Sequence, residues 1–147
     1  MSEDNKELAK RWFEEVWNKG RRAAIDEMMP VHCTVHDGNV SVTGPDGFKP
    51  FYDRLQAAFS DHHIEIPLAI AEGDLVCVRW IATMRHTGDD LGVPATGKQL
   101  RCMGTTVIRF ADGQMAEAWQ NWDEMGLMQQ IRGGESTKIY MAAGTGS

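Results

Sequence analysis

The feature that most constrains the fold is a change of hydrophobic period near residue 60 of this 147-residue chain. Before it, apolar residues recur at helical spacing, and those between Leu8 and Trp17 form one broad face. After it, apolar and polar residues alternate, which indicates strands. The alternation predicts strands at residues 62–72, 75–87, 98–110 and 114–123. Helices followed by strands are typical of an α+β fold.

The chain before residue 60 divides into three predicted helices and one strand. The first helix ends at Gly20, the second is short and ends at Pro30, and the third covers the apolar positions from Phe48 to Phe59. A strand at 31–37 separates the second helix from the third. We therefore predict helices gathered on one face of a strongly bent antiparallel sheet, enclosing a cone-shaped hydrophobic pocket.

Length and composition set the expected organisation. The length suits one domain, which we assign to residues 1–132, and the Gly-, Ser- and Thr-rich residues 133–147 are predicted to be a flexible C-terminal tail. The balance of 15 Lys and Arg against 21 Asp and Glu disfavours a nucleic-acid partner. The apolar stretches fall short of the roughly 18 residues that a membrane helix needs, and the polar N-terminus favours a cytoplasmic location.

The cysteines and histidines do not predict a metal site. The three cysteines are widely spaced, with no C-x-x-C pair, so buried reduced thiols are expected. His32 and His36 share a strand face, but no third donor stands at metal-ligand spacing. The adjacent His62 and His63 must point in opposite directions, so one is expected to be exposed and the other half-buried.

The last predicted strand carries the most informative chemistry. Its alternation places Trp119, Asn121 and Asp123 on one face, together with Glu117. If that face lines a pocket, an apolar environment would raise the pKa of Asp123 and suit it to proton transfer. The alternative is that Asp123 caps the following turn through backbone N–H groups near Gly126. The pattern alone leaves both interpretations open.

Arg79 lies within an apolar strand and also permits two interpretations. A buried arginine needs a partner, for which a carboxylate such as that of Asp123 or Glu117 would serve, while an exposed arginine fits the pattern equally well. Tyr52 lies among the apolar positions of the third helix and is a candidate pocket residue.

Several segments resemble the SnoaL-like polyketide cyclases of the nuclear-transport-factor-two-like superfamily. The N-terminal part contributes Trp12, Trp17 and Asn18 to this resemblance. The segments that carry the rest of it are Arg-His-Thr-Gly at 85–88, Gly-Val-Pro-Ala-Thr-Gly-Lys at 92–98, Phe-Ala-Asp-Gly at 110–113 and the stretch 117–130. The similarity spans about residues 4–132.

The resemblance implies a cofactor-independent enzyme that acts on an apolar carbonyl compound. In these cyclases, the Asp four residues after the Trp of the last strand is the general acid and base of an aldol closure, and Asp123 holds that position here. The resemblance implies no metal. It does imply a homodimer whose two copies pair through the sheet. Asn121 and His36 are our candidates for stabilising an enolate, and Trp119, Tyr52 and Arg79 complete the predicted substrate site.

Two other functions remain open at this point. Related limonene-epoxide hydrolases place an acidic residue two positions after the Trp, where this chain has Asn121, although Asp123 could take over the activation of water. Ketosteroid isomerases share the architecture, but no clear Tyr/Asp pair like theirs is found here. A non-catalytic pocket for a hydrophobic small molecule is the third possibility, because a fold alone does not establish chemistry.

Overall fold

The computed structural model of the protein describes residues 2–133. The helices are α1 (Ser2–Trp12), α2 (Ala23–Met28), α3 (Gly44–Ala58) and α4 (Glu124–Arg132), and a π-helical segment (Phe13–Asn18) continues α1. The strands are β1 (Thr34–Asp37), β2 (Val40–Thr43), β3 (Phe59–Glu72), β4 (Leu75–His86), β5 (Gln99–Ala111) and β6 (Gln114–Trp122). The predicted tail after Gly133 lies outside the described residues.

The six strands form one sheet in the order β2-β1-β6-β5-β4-β3. Strands β3 to β6 are an antiparallel meander, as the alternation predicts. The sheet as a whole is mixed, because β1 runs parallel to β6. Strand β2, which the sequence interpretation missed, pairs with β1 across the turn at Gly38. The predicted α+β class is therefore confirmed, and the sheet, predicted as antiparallel, contains one parallel pair, β1 with β6.

The helices cover one face of the sheet, and the alternating residues of β4 show which face this is. Val76, Val78 and Trp80 are buried beneath the helices, whereas Arg79 lies on the opposite, outer face. Asn18, at the end of the π-helical segment, secures the helices to β3 by bonding both backbone groups of one residue. Its Nδ2 donates to the Ile64 carbonyl over 2.9 Å, and its Oδ1 accepts from the Ile64 N–H over 2.6 Å.

Strand β3 is bent by two irregularities, at 60–63 and at 65–68. At the first, Ser60 pairs with Arg85 and His63 with Thr83, so two residues of β3 stand opposite one of β4. Asp61 takes a positive φ of 55° there. A bulge of this kind bends the strand and changes which side chains point inward.

The connection between β4 and β5 is fastened to the end of α3. The N–H groups of Thr87 and Gly88 both donate to the Ala58 carbonyl, and His86 Nδ1 accepts from the Thr96 N–H over 3.2 Å. A side chain at Gly88 would collide with the Ala57 carbonyl. The resembling segments at 85–88 and 92–98 thus have a structural role beside the pocket. Within residues 2–133, no helix is long and apolar enough to span a membrane.

Candidate active site

An open pocket of about 620 Å³ lies between the helices and the end of the sheet where β6 finishes and β3 begins. Its walls come from the π-helical segment, α3, β3 to β6 and the start of α4. Six aromatic side chains dominate the lining: Phe13, Trp17, Phe51, Phe59, Trp80 and Trp122. The apolar character is that of a site for a small hydrophobic molecule.

Gly104 allows two of these tryptophans to meet on the floor of the pocket. A Cβ at this position of β5 would lie 2.5 Å from the Trp80 ring and 2.7 Å from Trp122 Cβ. Both indole N–H groups are already bonded, Trp80 Nε1 to Thr106 Oγ1 over 3.0 Å and Trp122 Nε1 to Asp37 Oδ2 over 3.2 Å. The two rings therefore offer a ligand their apolar surfaces.

Asp123 follows the last residue of β6 and is half-buried. It stands next in sequence to Trp122 and one helical turn before Leu127, and both of these line the pocket. Its Oδ1 accepts a hydrogen bond from the Gly126 N–H over 3.0 Å, which caps the N-terminus of α4. A Cβ on Gly126 would overlap the carboxylate. The carboxylate is thus fixed at the start of α4, and Asp123 is not itself a lining residue.

The alternation along β6 is as predicted, but its inward face is the opposite one. Gln120 and Trp122 point to the pocket, while Trp119 and Asn121 are exposed on the outer face. The predicted pocket face is therefore corrected for these two residues. The physical reason is that the helices cover the face that carries the small, buried Ala118.

His36 lies beside Trp119 on the outer face rather than in the pocket. Its ring stacks on Trp119 with a centroid separation of 5.8 Å, and its Nε2 lies 2.7 Å from Glu117 Oε2. The hydrogen bond from His36 holds the pKa of Glu117 below its usual value, and the neighbouring Arg109 adds to this effect. The structure thus brings His36, Glu117 and Trp119 together, away from Asp123.

Tyr52 and Arg79 also lie outside the pocket lining. Tyr52 is buried in the helical layer, where its hydroxyl donates to the Val16 carbonyl over 3.0 Å and its ring contacts Trp17. It supports a pocket wall from behind. Arg79 is exposed on the outer face, with Nη2 3.2 Å from Met103 Sδ, so it contacts neither of the carboxylates proposed as its partner.

His62 is the pocket residue that the sequence interpretation did not select. It lines the apolar pocket, whereas His63 is exposed, as the rule of opposite orientation predicts for the pair. Burial lowers the pKa of His62, partly offset by a backbone hydrogen bond at Leu55. The sequence signal was present in the adjacent pair, but only the bulge in β3 decides which histidine points inward.

One cysteine thiol also lies in the pocket lining. Cys102 lines the pocket, and burial raises the pKa of its thiol to about 12. Cys33, away from the pocket, has its pKa raised by burial to about 11. Both thiols therefore stay protonated at neutral pH and are weak nucleophiles. Within residues 2–133, no three His, Cys, Asp or Glu side chains come together as metal ligands.

A bent sheet that holds an apolar pocket beneath a helical layer, with a carboxylate at the end of its last long strand, defines a class of cone-shaped small-molecule proteins. The family model for SnoaL-like polyketide cyclases matches residues 7–131. The chain belongs to the SnoaL-like polyketide cyclase family, as the resemblance in its sequence indicates.

Individual relatives agree with this assignment. The aklanonic acid methyl ester cyclase DauD of Streptomyces sp. strain C5 is 28% identical over 123 residues, which cover 80% of this chain and 75% of DauD. A solved structure assigned as a polyketide cyclase from Acidithiobacillus ferrooxidans is 33% identical, with a TM-score of 0.79 over 90% of this chain and 96% of that one. A SnoaL-like protein from Jannaschia sp. CCS1 gives 27% identity and a TM-score of 0.82, covering 91% of this chain and 95% of its own.

Proposed function

We propose that this protein is a cofactor-independent cyclase or isomerase that acts on an apolar carbonyl compound, with Asp123 as its general acid and base. The observation that carries the proposal is that Asp123 lies in the sequence between the pocket-lining residues Trp122 and Leu127, with its carboxylate fixed by the Gly126 N–H. Membership of the cyclase family supports the same chemistry.

The proposed reaction is an aldol-type closure. The Asp123 carboxylate takes a proton from a carbon next to a carbonyl group, and the C–H electron pair becomes an enolate. The enolate carbon then bonds to a second carbonyl carbon of the same molecule, whose π electrons move to its oxygen. That alkoxide takes the proton back from Asp123, so no oxidant or reductant is needed. For an isomerisation, the proton returns to a different carbon.

The apolar lining supports this role in two ways. It holds a polycyclic or otherwise hydrophobic substrate by burial, and it excludes water, so the charge of Asp123 acts more strongly on the substrate. The donors predicted to stabilise the enolate, Asn121 and His36, lie on the other face of the sheet and are not part of this proposal. The hydrolase alternative loses support for the same reason, because Arg79 is on the outer face.

A second candidate is a non-catalytic binding protein for a hydrophobic molecule. The observation in its favour is that the Asp123 carboxylate caps α4, a structural role that does not require catalysis. The two candidates differ in what the loss of the carboxylate changes. If the protein only binds its ligand, loss of the Asp123 carboxylate leaves ligand binding and every other ligand-dependent property unchanged.

The Asp123→Asn variant tests the proposal, because asparagine caps a helix about as well as aspartate but cannot take the proton. We expect turnover to fall at least about 100-fold while the free energy of unfolding changes by less than about 1 kcal/mol. Proton exchange next to the carbonyl of 2-tetralone in D₂O, followed by NMR, measures the first step. Aklanonic acid methyl ester, the compound in DauD's name, serves as the trial substrate for ring closure.

The matched control is Glu124→Gln, which removes the neighbouring carboxylate from the exposed first position of α4. We expect this variant to keep parental turnover. Undiminished turnover in Asp123→Asn would contradict the catalytic assignment, and binding without any turnover in the parent would favour the second candidate.

We further propose that two copies pair through the outer face of the sheet. Large apolar side chains are exposed on that face, including Leu68 at 51%, Ile70 at 57% and Trp119 at 38% of their surface. The register places Leu68 beside Arg79 and Ile70 beside Cys77, so both lie on the side away from the helices. Large apolar side chains that stay exposed on one face of a sheet are typical of an interface between subunits.

A further inference from the structure

The His62 ring has an unpaired nitrogen in a mainly apolar pocket. The side chain lines the cavity. Its Nε2 atom is buried and has no hydrogen-bond partner among the described residues. The indole N–H groups of Trp80 and Trp122 in the same lining are both occupied. A buried polar atom without a partner destabilises the empty protein, and a ligand that supplies the partner recovers that cost.

The geometry around the ring determines what kind of partner Nε2 requires. The bulge at 60–63 turns His62 inward, and a backbone hydrogen bond at Leu55 acts on the imidazole. The hydrogen bond at Leu55 raises the pKa of His62, so the Leu55 group involved is the carbonyl, which accepts a hydrogen bond from a ring N–H. Because Nε2 is unpaired, the nitrogen that donates is Nδ1. In the neutral ring, Nε2 then carries a lone pair and no hydrogen.

We propose that His62 Nε2 accepts a hydrogen bond from a hydroxyl group of the ligand, so the pocket selects a hydroxylated aromatic or enolic molecule over its deoxygenated analogue. This inference rests on the proposed function in one respect, that the pocket holds a hydrophobic small molecule. It does not depend on catalysis by Asp123. Burial keeps the imidazole neutral at pH 7, which is the form that accepts.

The test compares two probes of similar shape, 2-naphthol and 2-methylnaphthalene, by isothermal titration calorimetry at pH 7.5. For each protein the measured quantity is the ratio of the two dissociation constants. We expect His62→Leu to reduce the preference for 2-naphthol about tenfold, the value of one buried hydrogen bond. His62→Gln keeps an acceptor and is expected to retain part of the preference.

The matched control is His63→Leu, which removes the exposed neighbour and is expected to leave the ratio unchanged. An unchanged ratio in His62→Leu would overturn the inference, as would a parent that binds both probes equally or neither. Asp123→Asn separates the two proposals. If it loses turnover while His62→Leu keeps the naphthol preference, the catalytic proposal stands and the hydroxyl site fails. If it keeps turnover while the preference depends on His62, the reverse holds.

Discussion

At the scale of single residues, His62 and His63 show how strongly one inserted residue controls a site. Alternation alone requires that they point in opposite directions, and they do. It does not say which of them is inside, because the bulge at 60–63 shifts the pattern and Asp61 takes a positive φ. A sequence pattern shows that side chains alternate, but it does not show which of them point inward after a bulge. His62 therefore cannot be assigned to the pocket from the sequence.

The burial of His62 has a consequence for stability as a function of pH. Its pKa is lowered in the folded state, chiefly by burial, from an ordinary value of 6.5. The unfolded chain therefore binds more protons near and below that pH, and the folded state loses stability as the pH falls. We expect His62→Leu to flatten this decline between neutral pH and about 5 in urea unfolding experiments, and His63→Leu to leave it unchanged. An equally steep decline in His62→Leu would contradict the burial effect.

Asp123 is the residue for which sequence and structure agree best, and both of its open interpretations contributed. The predicted capping interaction is present, with the Gly126 N–H as donor. Its neighbours Trp122 and Leu127 line the pocket, but contact of Asp123 itself with the pocket stays a prediction. Its catalytic role stays a prediction. Capping explains how a half-buried carboxylate is held in a fixed orientation, which an acid–base group requires.

At the scale of secondary-structure elements, the sequence correctly predicts the alternation along β6 but assigns the wrong face of the strand to the pocket. The predicted strand ends within one residue of the observed one, and its two faces are correctly separated. The sequence favours the wrong face because an amide and a carboxylate beside a tryptophan, as in the set with Trp119 and Asn121, resemble a polar pocket wall. The set with Gln120 and Trp122 resembles one less. Which face the helices cover depends on packing, as at the buried Ala118, and alternation contains no information about it.

Strand β5 requires a glycine near its centre, at position 104, because a larger residue would not fit between its neighbours. The Gly104→Ala variant would place a methyl group against the Trp80 ring and Trp122 Cβ. We expect it to lower the free energy of unfolding by about 1–3 kcal/mol, because a packed core has no room for the added carbon. Binding of 2-naphthol should weaken in parallel as the tryptophans shift.

The control for this variant is Thr105→Val, in the same strand but on the outer face. It keeps a β-branched side chain and should change stability by less than about 0.5 kcal/mol. Chemical denaturation of both variants supplies the measurement. An alanine at position 104 that leaves stability and binding unaltered would show that the two rings separate easily.

At the scale of the whole molecule, the outer face of the sheet leads to a prediction about mass in solution. The parent should sediment as two chains, near twice 16.4 kDa, at micromolar concentration. The double variant Leu68→Asp, Ile70→Asp places charges on that face and should sediment near the mass of one chain, since charged groups are disfavoured in the centre of an interface. Analytical ultracentrifugation measures both.

The control is Val31→Asp, which changes a more exposed apolar residue outside the sheet, 81% exposed and shortly before β1. It should remain a dimer. A parent of single-chain mass would refute the pairing, and a dimeric double variant would exclude this part of the face. The sequence predicts a sheet-mediated dimer by resemblance and by the apolar content of both faces of strands such as residues 75–87, and the exposed residues Leu68 and Ile70 add a structural reason for it.

The parallel contact between β1 and β6 has a consequence for how the chain must assemble. Asp37 and Gln120, paired across it, are 83 positions apart, while the connections that join β3 to β6 have at most 12 residues. On a ribosome, the β1–β2 hairpin therefore emerges long before its partner strand is synthesised. The nascent chain must carry that hairpin without its partner strand until β6 (Gln114–Trp122) has been synthesised. Closing so long a loop is costly in entropy, which makes completion of the sheet a late and slow event.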